Sequence, residues 1–408
     1  MKFGCIGEHL AHSFSKEIHN KIGEYEYVLC EVAKDKLDEF MQKKDFFGIN
    51  VTIPYKLDVI PHLYEISAQA EEIGAVNTIV NKNGRLYGYN TDFFGMSALI
   101  NKLGLNLKDK KVLITGTGGT SRTAVSVARS MGASQVVVAG RSPKNGCVTY
   151  DEVYSCHTDA QIIINTTPCG MYPDIDGCPV DTDRFENLEG AVDAIYNPLR
   201  TVFVQKVKER GLPAEGGLYM LVAQAVYAAE LFMDKTYGTE IIDKIFDELV
   251  SQKENIVLTG MPGSGKTTVG KLVAEKTGLE FADSDEYIER ITGRHPSAII
   301  SEDGIDCFRN IESDVISQLS AKGGMVIATG GGAVLKKENV SRLKRNGRIY
   351  FIDRALEDIM PTDDRPLSST REELEKRYAE RYDIYCSTAD EIIKSENIEN
   401  TIKKIVKE

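Results

Sequence analysis

The sequence of 408 residues lacks tryptophan, has only six histidines, and places none of its eight cysteines in a Cys-x-x-Cys pair. Because zinc sites and disulfide frameworks need clustered cysteine or histidine, we expect neither and interpret the cysteines as reduced thiols of a cytoplasmic protein. No apolar run approaches the ~18 residues of a membrane span. The first eight residues are typical of a strand and turn, so we expect no signal peptide.

Basic residues are also in deficit. Lysine and arginine number 49 against 61 aspartates and glutamates, which gives a formal net charge of −12. Nucleic acids and anionic membranes require a basic face, so neither is an expected partner. We expect small-molecule substrates and a monomer or homodimer.

Short apolar runs alternate with helical patterns along the chain, which predicts an α/β fold with parallel sheets and crossover helices. Residues 1–108, together with helical residues 215–250, are predicted to form one domain and residues 109–214 a second. A polar linker at 251–255 precedes a third domain at 256–408. The predicted strands are 2–6, 27–32, 48–52, 78–81, 84–89, 111–115, 135–139, 161–165, 191–194, 256–259, 325–329 and 348–352.

A glycine-rich turn follows the predicted strand at 111–115. Its backbone N–H groups at a helix start can bind a pyrophosphate, although such a turn alone is weak evidence for a dinucleotide. After the next strand come basic and hydroxyl side chains rather than the acidic residue typical of an NAD site, which favours NADP as the cofactor. The alternative is that these residues only form a solvated turn. The predicted NADP-binding residues are Gly116, Gly118, Gly119, Thr120, Arg141, Ser142 and Lys144.

A second, different phosphate loop spans residues 260–267 and satisfies G-x-x-x-x-G-K-[ST] between a strand and a helix. The motif predicts that Lys266 reaches the β- and γ-phosphates of ATP and that Thr267 binds Mg²⁺. The predicted ATP-binding residues of the loop are Gly260, Gly263, Ser264, Gly265, Lys266, Thr267 and Thr268.

Four short motifs follow one another in the N-terminal half: H-S-F-S at 12–15, N-V-T-I-P-Y-K at 50–56, G-A-V-N-T at 74–78 and N-T-D at 90–92. Each motif alone can be explained by an ordinary structural role, such as a helix cap or a solvated lysine. Together they resemble shikimate dehydrogenase across about residues 1–250. The resemblance implies a substrate domain followed by a Rossmann-type NADP domain.

The same resemblance implies roles for individual residues. Ser13 and Ser15 would bind the substrate carboxylate, and Lys56 with Asp92 would be the catalytic pair, since a reduced carbonyl needs a proton and an electrostatic partner. Which of the two delivers the proton stays open. Lys16 departs from the family, which usually has proline there. Further implied substrate-binding residues are Thr52, Asn77, Tyr196 and Gln224, and Gly217 would lie against the nicotinamide.

After the second phosphate loop, the motifs D-S-D at 283–285, F-R-N-I-E at 308–312, G-G-G at 330–332 and R-P-L at 365–367, followed by Arg381, resemble shikimate kinase over about residues 253–408. The family has a P-loop kinase αβα fold. The resemblance implies that Asp285 orients or deprotonates the accepting hydroxyl and that Asp283 lies near Mg²⁺. The other implied residues are Arg309 and Arg381 as a carboxylate clamp, Gly330, Gly331 and Gly332 against the ring hydroxyls, and Arg365 on a lid over ATP.

Asp383 is a departure, since this family commonly has proline there; we expect a changed local turn and retained function of Arg381. The two resemblances imply one bifunctional enzyme that reduces 3-dehydroshikimate to shikimate with NADPH and phosphorylates shikimate with ATP and Mg²⁺. One alternative is a quinate dehydrogenase fused to another small-molecule kinase. A second is an inactive regulator, which the presence of Lys56, Asp92, Lys266 and Asp285 disfavours.

Overall fold

The computed structural model describes residues 2–10, 14–143, 146–359 and 370–407. Its internal contacts divide the chain into two compact units, Met1–Glu248 and Leu249–Glu408. Among the described helices, none is both long and apolar enough to cross a membrane.

The first unit begins with a mixed sheet of strand order β2-β1-β3-β5-β6-β4. Its strands and helices are β1 Phe3–Gly7, α1 Ser15–Ile22, β2 Tyr27–Glu31, α2 Leu37–Lys43, β3 Gly48–Val51, β4 Glu65–Ile66, α3 Ala68–Ile73, β5 Thr78–Lys82, β6 Arg85–Tyr89 and α4 Thr91–Lys102. Strand β1 pairs in parallel with β2 and β3, whereas β5 is antiparallel to β3 and β6. The hairpin between β5 and β6 turns at Asn83 and Gly84, both left-handed (φ 54° and 82°), as a tight hairpin turn requires.

A second sheet, entirely parallel in its pairings, has the order β12-β11-β10-β7-β8-β9. Its strands and helices are β7 Lys111–Thr115, α5 Gly119–Ser130, β8 Gln135–Gly140, β9 Val148–Thr149, α6 Tyr150–Cys156, β10 Ile162–Asn165, β11 Gly190–Asp193, α7 Val202–Glu209 and β12 Ala214–Glu215. All residues of β10 and β11 are buried, because helices cover both faces of a parallel sheet. The strand order reverses between β7 and β10, which is where such sheets bind ligands.

Two helices, α8 Leu218–Met233 and α9 Thr239–Lys253, follow the second sheet. Helix α8 packs against α1 and α4 of the first sheet's layer. A Cβ on Gly95 of α4 would lie 2.6 Å from the carbonyl oxygen of Met220 and 2.9 Å from the Cβ of Gln224. The two helices therefore touch at backbone distance, which only glycine permits.

The second unit is a parallel sheet of order β14-β15-β13-β16-β17. Its strands and helices are β13 Asn255–Thr259, α10 Lys266–Thr277, β14 Glu280–Asp283, α11 Ser284–Thr292, α12 Pro296–Asp303, α13 Ile305–Ala321, β15 Met325–Ala328, α14 Lys337–Asn346, β16 Gly347–Asp353, α15 Arg371–Thr388, β17 Glu391–Lys394 and α16 Ile398–Val406. Separate apolar clusters lie on the two faces of the sheet, around Ile327 and Leu343 on one and Leu258 and Val273 on the other.

The α/β prediction is confirmed, and the predicted strands agree with observed ones to within about two residues. Five strands observed in the described residues have no counterpart among the predicted ones: β4, β9, β12, β14 and β17. Residues 251–253, expected in a linker, complete α9, and β13 starts at Asn255. The proposed domain boundaries stay a prediction.

We predict that Gly95→Ala destabilises the first unit by about 1 kcal/mol, and by no more than about 2 kcal/mol. Overpacking against a backbone oxygen costs about 1–3 kcal/mol, which exceeds the gain of at most ~1 kcal/mol from replacing a helical glycine by alanine. Urea unfolding of the full chain, followed by circular dichroism, measures this. Ser97→Ala on the same helix is the control, and equal midpoints for both variants would contradict the packing account.

Candidate active sites

The first site centres on an ion pair between Lys56 and Asp92. The Nζ atom of Lys56 lies 2.6 Å from Oδ2 of Asp92, and the two side chains are 31% and 21% exposed. Lys56 follows β3, and Asp92 lies in the first turn of α4, where the helix dipole favours a negative charge. The ion pair thus fixes the position of the Lys56 ammonium group, which stays partly exposed.

Asn77 and Gln224 belong to the same site. Oδ1 of Asn77 accepts a hydrogen bond of 2.7 Å from the N–H of Thr91, at the start of α4, and Thr91 Oγ1 donates to Gln224 Oε1 at 3.4 Å. Within the described residues, the amide nitrogen of Asn77 has no hydrogen-bond partner. The start of α4 therefore brings together four predicted residues, Lys56, Asn77, Asp92 and Gln224.

The other predicted substrate residues come from α1, β3 and β11. Ser15 is the first residue of α1, and Thr52, directly after β3, donates its N–H to Ile6 at 3.0 Å. The ring of Tyr196, three residues after the end of β11, meets Phe14 edge-on with centroids 5.4 Å apart. Burial raises the pKa of Tyr196, so the phenol stays a neutral donor. Ser13 lies outside the described residues.

The glycine-rich turn after β7 leaves helix N–H groups available. Gly116 has a left-handed φ of 105°, and its N–H donates to Ala139 at 2.8 Å. Helix α5 begins at Gly119, and in the described structure no side chain caps it at Gly118. Uncapped N–H groups at a helix start form an anion site. Thr120, in the first turn, is half-buried.

The basic turn after β8 lies beside this loop, because β7 and β8 are paired neighbours. A Cβ on Gly140 would lie 2.7 Å from the side chain of Thr117. Arg141 and Ser142 follow and are exposed, while Lys144 lies outside the described residues. Gly217 precedes α8 and contacts Ala194 closely.

A buried polar network ties the ends of three neighbouring strands of the second sheet. Asn165 accepts from Thr115 Oγ1 at 2.8 Å and donates to Asp193 at 2.9 Å. Asp193, which is fully buried, also accepts from Thr201 Oγ1 at 2.6 Å. Burial raises the pKa of Asp193 to about 6, against the opposing effect of these hydrogen bonds. The network fixes the strand ends from which the glycine-rich turn and Tyr196 emerge.

In the second unit, the loop between β13 and α10 encloses its own lysine. Gly260, Gly263 and Gly265 have positive φ values of 146°, 82° and 91°, and Ser264 is 2% exposed. Nζ of Lys266 donates to the carbonyl oxygens of Gly260 and Met261, each at 2.9 Å. The charged end of Lys266 is therefore placed within the curve of the loop.

Thr267 and two aspartates link this loop to α11. Thr267 Oγ1 donates to Asp283 Oδ2 at 2.7 Å, and Asp283 Oδ1 accepts from the N–H of Asp285 at 2.9 Å, capping α11. Hydroxyl and carboxylate oxygens suit a hard cation. Among the described residues no group of three or more potential metal-ligating side chains exists, so a cation here would need further ligands from phosphate oxygens and water.

The three glycines after β15 let charged groups approach the backbone. A Cβ on Gly330 would lie 2.8 Å from Asp285 Oδ1 and 2.9 Å from Glu312 Oε1, and a Cβ on Gly332 would collide with the guanidinium of Arg309. The absence of side chains on this loop is thus what allows Asp285 and Arg309 to face the same space.

Two arginines lie on this wall. Arg309 Nη1 is 2.6 Å from Oε2 of Glu312, which is fully buried; burial raises the pKa of Glu312, and Arg309 opposes that rise. Arg381 is 8% exposed, and its Nη1 donates to the carbonyl oxygen of Gly331 at 3.1 Å. Both guanidinium groups are fixed by partners before any ligand binds.

A pocket of about 580 Å³ unites these residues. Gly260 and Ser264 shape the loop without lining the pocket, and Arg365 lies outside the described residues. The predicted residues that line it are Gly263, Gly265, Lys266, Thr267, Thr268, Asp283, Asp285, Arg309, Gly330, Gly331, Gly332 and Arg381.

Sequence reasoning assigned no role to Asp193, Glu312 or Arg354. Arg354 follows β16 and lines the pocket, with Nη1 4.0 Å from the position of a Cβ on Gly265. The signal that could have found Asp193 and Arg354 is their position at or just after the carboxyl end of a parallel strand, where ligand-facing groups collect.

The two departures from family patterns both lie in helices. Lys16 is exposed in the first turn of α1. Asp383 is exposed in the middle of α15, which continues without interruption to Thr388. Aspartate keeps the backbone N–H that proline would lack, which is compatible with an uninterrupted helix. The expected change of turn relative to the family stays a prediction.

The fold and the two sites define two classes of enzyme on one chain. The first unit is a dinucleotide-binding oxidoreductase built on two sheets, and the second is a P-loop phosphotransferase. Family models match both parts: the shikimate dehydrogenase substrate binding domain over residues 5–79 and shikimate kinase over residues 262–408. The chain belongs to the shikimate dehydrogenase family and carries a shikimate kinase domain at residues 262–408.

Individual relatives are similar to the N-terminal part. The shikimate dehydrogenase (NADP(+)) of Clostridium beijerinckii is 36% identical over 270 residues, covering 62% of this chain and 98% of the relative. A crystal structure of a chorismate mutase/shikimate 5-dehydrogenase fusion protein from Clostridium acetobutylicum has a TM-score of 0.57 at 38% identity, over 60% of this chain and 96% of that one. The Thermus thermophilus shikimate 5-dehydrogenase in complex with NADP(H) and shikimate gives 0.55 at 28% identity, over 61% and 99%.

We predict that Asp193→Asn changes how the stability of the first unit depends on pH. Between the ordinary aspartate pKa of 3.8 and the folded value of about 6, the folded state keeps a proton that the unfolded chain has lost. Wild-type stability relative to the variant, which lacks this titration, therefore falls by about 2 kcal/mol as pH rises from 4 to 6.

Urea unfolding at pH 4 to 7 measures this difference, with the exposed Asp183→Asn as control. Parallel pH curves for wild type and Asp193→Asn would show that Asp193 does not hold the proton.

Proposed function

We propose that the first unit reduces the carbonyl of 3-dehydroshikimate with NADPH to give shikimate, and that the second unit transfers the γ-phosphoryl group of ATP to shikimate. The observation that carries the first activity is the Lys56–Asp92 pair of 2.6 Å beside Asn77. The second rests on Asp285, Arg309 and the phosphate loop lining one pocket. The product of the first reaction is the substrate of the second.

For the reduction, the ammonium of Lys56 is placed to stabilise the negative charge that develops on the carbonyl oxygen. Asp92 keeps that ammonium charged and oriented, and one member of the pair supplies the proton. The free amide nitrogen of Asn77 and the side chain of Gln224 hold ring hydroxyls. Ser13 and Ser15 bind the carboxylate, and Thr52 and Tyr196 complete the pocket.

NADPH, when bound, supplies the hydride. The N–H groups at the start of α5, with Gly116, Gly118, Gly119 and Thr120, receive its pyrophosphate. Gly217 lies against the nicotinamide. Specificity for the 2′-phosphate comes from the turn after β8, where Arg141, Ser142 and Lys144 offer cationic and hydroxyl donors in place of an acidic residue.

For phosphoryl transfer, Asp285 orients the accepting hydroxyl, and Arg309 with Arg381 holds the carboxylate, a task to which planar guanidinium groups are suited. Lys266 leaves the loop carbonyls to contact the β- and γ-phosphates, and Arg365 contributes charge from the lid. Thr267 and Asp283 would hold Mg²⁺, Asp283 through water; the ion, when bound, neutralises phosphate charge. The short Thr267–Asp283 contact suits that assignment.

We further infer that the chain acts in the cytoplasm as a monomer or homodimer. We also infer that its functional domains are 1–108 with 215–250, 109–214 and 256–408. The division of the contacts after residue 248 supports a separate kinase unit.

Replacing Lys56 separates the two activities. We expect Lys56→Ala to lower kcat/KM for NADPH-dependent reduction by at least about 10²-fold, the usual contribution of a positioned acid–base group. Phosphorylation of shikimate should stay within twofold. Lys82→Ala, an exposed lysine of the same sheet, should change neither rate. Reduction that survives within a few-fold would rule out the role assigned to Lys56.

The reciprocal change is Lys266→Ala. We expect it to reduce phosphorylation at least about 10²-fold, because the lysine stabilises charge that develops on the transferred group, while reduction is unaffected. Lys271→Ala, exposed on the same helix, is the matched control, and both rates are measured on the full chain. Unchanged kinase turnover in Lys266→Ala would exclude this loop as the ATP site.

A further inference from the structure

Besides Arg309, Arg354 and Arg381, a fourth arginine, Arg377, lines the kinase pocket, and it has no hydrogen-bond or ion-pair partner among the described residues. Arg377 lies on α15 four residues before Arg381, so both side chains project from the same face of the helix, one turn apart. Arg309 is paired with Glu312, and Arg381 donates to Gly331. Arg377 is half-buried and, within the described part of the chain, makes no hydrogen bond or ion pair.

Its electrostatic surroundings are unfavourable for a cation. Burial lowers the pKa of Arg377 most, and the guanidinium group of Arg381 lowers it further; the carboxylates of Glu373 and Glu380 oppose this fall, and Arg309 adds a smaller lowering. A partly desolvated charge that faces like charges destabilises the empty protein unless an anion arrives to compensate it.

Two anions enter this pocket under the proposed function: the carboxylate of the acceptor and the phosphates of ATP. The phosphate loop already has Lys266, with Arg354 near Gly265. The cations that act on Arg377 are instead Arg381 and Arg309, the two groups assigned to the carboxylate. This places Arg377 on the acceptor side of the pocket.

We propose that Arg377 is a third substrate-binding arginine of the kinase site and contacts the carboxylate of the incoming acid, at the outer end of the clamp formed by Arg309 and Arg381. The proposal rests on the proposed kinase function. The carboxylate would then be bound by three arginines instead of two. In the empty site their guanidinium groups repel one another, and the bound carboxylate offsets this repulsion.

The test compares Arg377→Ala, Arg377→Gln and Arg377→Lys with Arg371→Ala, whose exposed side chain on the same helix pairs with Glu375. Initial rates of phosphorylation on the full chain give separate KM values for shikimate and ATP. For Arg377→Ala and Arg377→Gln we expect a shikimate KM at least tenfold higher, with ATP KM and kcat within threefold. Arg377→Lys should show a smaller rise, because an ammonium keeps the charge but loses the planar fork.

A second readout separates ligand binding from a structural role. Without ligand, the thermal midpoint of the kinase unit should be equal or higher in Arg377→Gln than in wild type, because a repulsive charge has been removed. Saturating shikimate should raise the wild-type midpoint clearly more than that of the variant. A merely structural arginine would give a lower midpoint without ligand and an unchanged ligand effect.

Two results would overturn the proposal: a shikimate KM in Arg377→Ala within twofold of that in Arg371→Ala, or a selective rise in ATP KM, which would put Arg377 on the nucleotide side. Failure of the proposed function is a different outcome, since the wild-type chain itself would then phosphorylate no shikimate. That result would remove the basis of both proposals, whereas an active variant with an unchanged KM removes this one alone.

Discussion

Close approach of charged or backbone groups to glycine is the constraint on which both sites depend. At Gly95, α4 and α8 come within backbone distance, which sets Asp92 and Gln224 beside Asn77. At Gly330 and Gly332, the missing Cβ atoms leave room for the acidic and basic groups of the acceptor pocket. In each case the chemistry is placed by a packing contact, so a single added methyl group would move catalytic atoms.

The two sites also share an arrangement of charges. Each holds cations that are partly neutralised by a fixed carboxylate: Lys56 by Asp92, and Arg309 by Glu312. Such pairs keep the cation oriented while leaving positive potential for an anionic or developing negative oxygen. One small hydroxylated carboxylate is therefore suited to both sites, which is the chemical reason for joining the two activities in one chain.

The strand ends were predictable because short apolar runs in parallel sheets are bounded by turn residues, and phosphate loops follow β7 and β13 as expected. Helix α5 starts at Gly119, inside the glycine-rich turn, and its start was hard to predict because glycine is a poor helix former. Arg377 had no sequence pattern to reveal it, because its position depends on which face of α15 borders the pocket. Asp193 could have been noticed only as the last residue of a strand, and its partners depend on which strand ends adjoin.

The chain is proposed to catalyse two successive reactions on one substrate: reduction of 3-dehydroshikimate to shikimate and phosphorylation of that shikimate. Incubating the purified full chain with 3-dehydroshikimate, ATP, Mg²⁺ and NADPH deuterated at its transferable position, followed by mass spectrometry of the product, tests this proposal most directly. The account predicts a product that carries one deuterium and one phosphate on the same shikimate skeleton. A deuterated product without phosphate, or no deuterated product at all, would contradict it.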